Sequence, residues 1–275
     1  MRVLRILLIS CVAFSALLIC AHADAQDSPE RTLTMPELEP LETPPEFFPV
    51  LPWDPLHLWD AGEDRREGVE SIVECNFTMA GFVEPKDLPL CEQHGLKVLM
   101  FGTADRGPLK REEWKALSDE EIEAFVKTMV EDAGDSKAIL GYYLVDEPGA
   151  TLFPKLAVGV AAVKKYAPGK LAYINLFPGY ATIGAPDTSQ LETASFDEYL
   201  ERFVTEVKPQ VISYDDYMVQ YSIDMTKGGP AAQYFKDLLA VRGVGLKYGL
   251  PFWNIVSSNQ IRSHTTIPSP ANLQL

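Results

Sequence analysis

Short apolar runs alternate along this chain with longer segments whose apolar positions recur every three or four residues. The runs are Phe47 to Trp53, Phe77 to Val83, Lys97 to Gly102, Ile139 to Glu147, Leu171 to Phe177, Val211 to Tyr217 and Leu250 to Val256. Near-continuous hydrophobicity over so few residues marks strands buried on both faces, as parallel strands are. Helix starts are readable between them. Ser118-Asp119-Glu120-Glu121 has the form of a capping box, ahead of Ile122, Phe125, Val126, Met129 and Val130 on one face, and Gly134 closes the segment. Ser195-Phe196-Asp197-Glu198 repeats the device before Tyr199, Leu200, Phe203, Val204 and Val207, with Pro209 as the stop. Leu152 to Tyr166 and Ala231 to Tyr248 carry weaker helical patterns.

Strand and helix in regular alternation is the pattern of βαβ units and a parallel sheet. Seven strands predict an α/β chain folded as a (β/α)8 TIM barrel over residues 47–275. Its eighth unit would be cut off beyond Leu275, since Pro270 to Leu275 only begins to read as a helix. A doubly wound open sheet is the rival. It would show a Gly-rich phosphate turn after its first strand, and Pro49 to Pro55 is no such turn.

The residues ahead of the barrel read differently. Arg2 and Arg5 flank an apolar run from Ile6 to Cys20, followed by Ala21-His22-Ala23, which is the form of a signal peptide cleaved near Ala23. Residues 24–46 are rich in Pro, Glu and Thr and predict an extended lead-in. The expected setting is therefore secreted or periplasmic, with no membrane attachment after cleavage.

Charge narrows the partners. The chain carries 24 basic and 39 acidic residues, a net charge of −15, and losing Arg2 and Arg5 with the leader takes it to −17. Such a surface repels nucleic acid and anionic membranes, and disfavours a polyanionic substrate unless the mouth is locally basic. Of four cysteines, Cys75 and Cys91 lie outside the leader and could pair in an oxidising compartment. No Cys/His spacing suggests a zinc site, and no cofactor or metal is expected.

Candidate chemistry centres on Gly141-Tyr142-Tyr143-Leu144-Val145-Asp146-Glu147-Pro148, an apolar and aromatic run ending in two carboxylates and a proline. Proline cannot donate to a ladder, so the strand stops there, and the carboxyl ends of barrel strands open into the mouth. Glycoside hydrolysis needs one protonated carboxyl beside the leaving oxygen and a second across the sugar. An apolar strand beneath Glu147 and the anion Asp146 beside it would both keep Glu147 protonated. The bland alternative is a strand-end carboxylate paired with an arginine or capping the next helix.

Asp146-Glu147-Pro148 after Gly141-Tyr142-Tyr143 resembles the strand-four signature of clan A glycoside hydrolases, whose usual form is Asn-Glu-Pro. Phe48-Pro49 with Trp53-Asp54, Met79-Ala80-Gly81-Phe82, and Ser213-Tyr214-Asp215-Asp216-Tyr217 extend the likeness to a branch of secreted bacterial glycosidase-like proteins. The resemblance spans about Glu46 to Leu275. It implies that Glu147 is the acid/base and that Asp146 binds the sugar beside the reacting carbon. One departure matters: the clan places a nucleophilic glutamate at the end of strand seven, where this chain reads Leu250-Pro251-Phe252-Trp253-Asn254-Ile255-Val256.

Asp216 or its neighbour Asp215, at the end of strand six, is the expected substitute, either one being open to a solvated or Arg-paired reading instead. Two strands away, their carboxyls are expected about 6.5–9.5 Å from Glu147, the inverting separation. Trp53, Tyr217 and Trp253 could stack on sugar faces, and Asp54, Asn175 and Asn254 could bond hydroxyls, although packing is the commoner explanation for aromatics at strand ends. The loop from Pro178 to Glu192 is placed to shape a subsite. The function expected is hydrolysis of glycosidic bonds in a carbohydrate substrate. The alternative is a carbohydrate-binding barrel that lacks the strand-seven nucleophile.

Overall fold

The computed structural model describes residues 47–53, 66–222, 224–258, 265 and 267–268. The expected leader and lead-in, Asp54 and the chain's last residues lie outside them.

Six strands form one sheet in sequence order, every neighbouring pair parallel. They are β1 (Met79–Val83), β2 (Lys97–Met100), β3 (Ile139–Asp146), β4 (Leu171–Leu176), β5 (Ile212–Asp216) and β6 (Phe252–Val256). Between them run α1 (Arg66–Glu74) ahead of β1, α2 (Leu88–Gln93), α3 (Arg111–Ala116), α4 (Asp119–Ala133), α5 (Phe153–Tyr166), α6 (Phe196–Arg202) and α7 (Gly229–Tyr248). Strand order without a reversal excludes the doubly wound sheet, whose order turns back at a switch point.

The sheet is curled. Phe82 of β1 and Tyr173 of β4 lie three strands apart, about 14 Å in a flat sheet. Their rings are 6.1 Å apart. Tyr143 of β3 sits 4.5 Å from Phe82, and Trp253 of β6 is 5.8 Å from Tyr173, so five strands converge on one aromatic cluster with Leu99 and Phe101. That inner cluster is the floor of a barrel. The larger core lies outside it, between the convex sheet face and the helices. Curl and order together make this the (β/α) barrel arrangement the pattern predicted.

The run Phe47 to Trp53 is not a strand. Pro49 and Pro52 have no N–H to donate, and only Val50 pairs, accepting from the N–H groups of Thr78 and Met79 at 3.1 Å each. The segment lies along the start of β1, and Trp53 meets Phe82 edge-on at 4.6 Å. Both capping serines act as expected: Ser118 Oγ accepts from Glu121 N–H at 3.2 Å, and Ser195 Oγ from Glu198 N–H at 3.1 Å. A single π-type turn, Phe203–Val207, extends α6 before left-handed Lys208. Cys75 is exposed, Cys91 is buried, and they are unpaired, so the candidate disulfide is absent.

Candidate active site

Two slips of register set which side chains of β3 face inward. The ladder shifts against β2 between Val98 and Leu99, and against β4 between Tyr143 and Val145. Leu140 and Tyr143 consequently join the inner cluster while Tyr142, Leu144 and Val145 face the helices. Asp146 then turns inward above Tyr143. A bulge re-aims a side chain in just this way. The extra carbonyl, Leu144 O, accepts from the indole Nε1–H of buried Trp114 at 3.2 Å. Gly159 makes room for that indole, since a Cβ there would lie 2.8 Å from Trp114 Cη2.

Three inward residues form the top layer: Asp146 on β3, Asn175 on β4 and Asp215 on β5. Asn175 Nδ2 donates to Asp146 Oδ1 and to Asp215 Oδ1, both at 3.1 Å. Ser213 Oγ donates to Asn175 Oδ1 at 3.1 Å and lies 2.9 Å from the Tyr173 hydroxyl. This chain fixes the amide so that its two N–H bonds face the two acids.

Glu147 follows with φ +45°, the left-handed region that non-glycine residues rarely enter. Several bonds hold it there. Glu147 N–H donates to Asn175 O at 2.8 Å, Tyr199 Oη to Pro148 O at 2.6 Å, and Arg111 Nε to Asp146 O at 3.1 Å. The turn swings the Glu147 carboxyl toward the top layer, near enough to Asp215 for that charge to act on it and 3.6 Å from the Arg111 guanidinium. An arginine partner was the bland alternative for this residue, and it is present. The charge of Asp215 bears on it as well. Backbone strain at such a residue is characteristic of functional sites.

Burial over the aromatic floor, then the charges of Asp215 and Asp146, push Glu147 up to about 8, against the opposing pull of Arg111. Burial and the Asp146 charge push Asp215 up as well, opposed by its bonds to Tyr217 and Asn175. Asp146 is raised by burial, with Asn175 and Arg111 pulling it back. Neighbouring carboxyls disfavour ionising together, so the Asp215 charge helps Glu147 keep its proton.

Asp216 points the other way. It is fully buried on the outer face, accepts from Met218 N–H at 2.9 Å and lies near Asp237 of α7, whose charge adds to burial in raising it. The alternation of β5 therefore gives the mouth to Asp215 and takes it from Asp216.

Tyr217 stands beside Asp215, and its N–H donates to Tyr180 Oη at 3.2 Å, which brings the Pro178–Glu192 loop over the site. Trp253 belongs to the aromatic floor with Tyr173, and Trp53 packs on Phe82. Asn254 is not at the mouth: it faces α7 and donates to Tyr234 Oη at 2.8 Å. Sequence reasoning missed Arg111, Tyr180, Ser213, Trp114 and Asp237. Arg111 sits in a charged helix start with nothing to mark it, whereas Ser213 on a buried strand two residues before Asp215 was a readable polar position. Among the described residues, no group of three or more His, Cys, Asp or Glu could hold a metal ion, and no helix is long and apolar enough to cross a membrane.

No protein-family model and no curated protein matches the chain. Solved structures do. A candidate α-L-fucosidase from Bacteroides thetaiotaomicron matches with a TM-score of 0.51 at 12% identity, over 85% of this chain and 80% of that one. A β-glucuronidase from Bifidobacterium dentium matches at 0.46 and 11% identity, over 75% of this chain. A glycoside hydrolase family 5 mannosidase from Rhizomucor miehei matches at 0.45 and 14% identity, over 74% of this chain and 66% of that one. The chain spans about a third of the length of the glucuronidase (32%). The match to the fucosidase structure shows a shared fold.

Proposed function

We propose that this chain hydrolyses glycosidic bonds, with Glu147 as general acid and Asp215 as the second carboxylate. The observation that carries this reading is the pairing of Glu147 with Asp215: two carboxyls at the carboxyl ends of parallel strands in a partly buried mouth, the charge of Asp215 raising Glu147. A general acid must hold its proton at working pH, and a raised carboxyl does so while its partner stays ionised. Asp146 and Asn175 are placed to bond sugar hydroxyls, and Tyr217 and Tyr180 flank the acids with rings and hydroxyls.

Asp215 lies close enough to Glu147 for its charge to raise that carboxyl, which supports Asp215 as the nucleophile of a closely spaced pair rather than as base. The expected product then retains its anomeric configuration, in place of the inversion implied by a wider gap. The leader-like residues 1–23 support action in a secreted or periplasmic setting.

The reading is tested with a panel of aryl glycosides, following product anomers by NMR in the first minutes. Hydrolysis with retention is expected, abolished in Asp215→Asn and slowed in Glu147→Gln most for the poorest leaving groups. Saturable binding of glycans without turnover of any would instead select the binding-barrel reading, which the absence of a carboxylate in β6 favours.

A further inference from the structure

A cavity of about 740 Å³ opens beside Asp146, lined by Tyr143, Val145 and residues 106–111. Arg106, Lys110 and Arg111 stand in this wall, three cations within six residues of a chain whose net charge is −15. Glu113 and Asp146 are the anions lining the same cavity, so it is locally basic in a strongly acidic molecule.

The wall is built rather than incidental. Gly102 takes φ +74°, and a Cβ there would lie 2.5 Å from Arg106 O. That same carbonyl accepts from Thr103 N–H at 2.7 Å, which closes the turn. Leu109 is buried in the core. Asp132 of α4 holds the loop from outside, accepting from Ala104 N–H at 2.7 Å.

The three cations are held to different degrees. Glu113 fixes Arg106 at 2.6 Å, and the Phe125 ring lies beneath its guanidinium at 5.8 Å. Arg111 is anchored through Nε to Asp146 O, which leaves its terminal nitrogen 3.6 Å from Glu147, a long ion pair that a better-placed anion can replace. Lys110 forms no salt bridge with any described residue. One uncommitted cation, Lys110, and one loosely committed one, Arg111, thus line a cavity beside Asp146, with Arg106 held in place by Glu113.

We propose that this cavity is a subsite for an anionic sugar residue, one bearing a carboxylate or a sulfate ester, with Lys110 and Arg111 as its ligands and Arg106 completing the basic wall. The assignment rests on the glycosidase reading for the position of the scissile bond, but not for the binding itself. It also links binding to chemistry. A substrate anion that draws Arg111 away from Glu147 removes the cation that favours ionised Glu147, and so leaves the acid protonated when the charged sugar is seated.

The test uses the full chain and matched aryl glycosides: glucoside, glucuronide and 6-sulfoglucoside, with the three galacto counterparts. Binding is read by calorimetry and turnover separately. The wild type is expected to favour at least one anionic class over its neutral match by about tenfold or more in Kd, and to lose most of that preference at high salt. Lys110→Gln should bring the ratio toward one without changing affinity for the neutral match, whereas Lys127→Gln, on the exposed face of α4, should change neither. Comparison of the carboxylate and sulfate arms identifies the group.

The outcomes separate the two claims. Preferential binding of an anionic sugar with no turnover supports the subsite and overturns the hydrolase. Turnover or binding with no charge preference overturns the subsite and leaves the hydrolase standing. Failure of every glycoside to bind overturns both.

Discussion

Two pairs of acids flank β5, one on each face. Inside, Asp215 meets Glu147; outside, Asp216 meets Asp237. Both aspartates of β5 are almost wholly buried, and burial raises both of them. What separates the pairs is their surroundings. The inner pair has a strained backbone, an amide bridge that orients it, a nearby guanidinium and a cavity at its edge. The outer pair is sealed under α7, where Asp237 accepts from Gly179 N–H at 3.0 Å and from Gln233 Nε2 at 2.8 Å. A Cβ on Gly179 would lie 2.2 Å from Asp237 Oδ1, so nothing larger than glycine fits there. A raised carboxyl is therefore not by itself a catalytic one; access to a substrate decides.

The largest separation between the pairs is expected in turnover. Glu147→Gln should lower kcat by about 10²–10⁴-fold on substrates with poor leaving groups, and by much less on activated aryl glycosides, whose departure needs little protonation. Asp215→Asn should abolish both. Asp216→Asn should leave kcat within a few-fold of wild type, as measured by steady-state kinetics on the same substrates. If Asp216→Asn were as damaging as Asp215→Asn, the assignment of the two faces would be lost.

The pH profile sharpens the same contrast. The inner pair works with one proton, so kcat/KM should be bell-shaped, with its upper limb at the Glu147 value of about 8. Activity should fall below that window as a second proton joins the pair, and above it as the last proton leaves. Arg111 opposes the rise in Glu147, so Arg111→Gln should move the upper limb to higher pH. Asp216→Asn should move neither limb.

Much of this was legible in the chain. The strand and helix order, the two serine caps and Glu147 at a strand end all follow from apolar spacing and from proline and serine placement. Choosing between Asp215 and Asp216 did not. Strict alternation assigns opposite faces to neighbours, but which one faces inward depends on register, and β3 breaks alternation twice through contacts with β2 and β4. Asn254 failed for the same reason, since Trp253 beside it takes the inner face. The segment Phe47 to Trp53 is apolar enough for a strand, yet Pro49 and Pro52 remove the donors that a ladder requires. Arg111 reaches Glu147 through a loop turn that no local pattern encodes.

A smaller effect should come from the support behind β3. Trp114→Phe keeps the ring but leaves buried Leu144 O without its donor, at a cost of about 1–3 kcal/mol. Gly159→Ala drives a methyl into Trp114 and should destabilise by a similar amount, about 1–3 kcal/mol. Neither residue touches the mouth, but both fix the bulge beneath Asp146. Denaturant melts should show the loss, together with a fall in kcat that Lys127→Gln does not share.

The smallest effect expected is confined to the outer pair and to stability. One oxygen of Asp216 has no partner unless a proton lies between it and Asp237, and burial pushes Asp216 up to about 7 from an ordinary 3.8. A carboxyl raised on folding binds its proton more tightly in the native state. The stability it contributes is complete below about pH 4 and is lost as pH rises through about 7. Asparagine carries an N–H donor at every pH and can give Asp237 the bond that the shared proton gives. Asp216→Asn should thus melt with the wild type near pH 4 and above it near pH 8. The inner acids titrate alike in both proteins, so the difference isolates the outer pair. A variant that tracks the wild type across the whole range would falsify the shared proton, and with it the physical basis for reading the outer pair as structural.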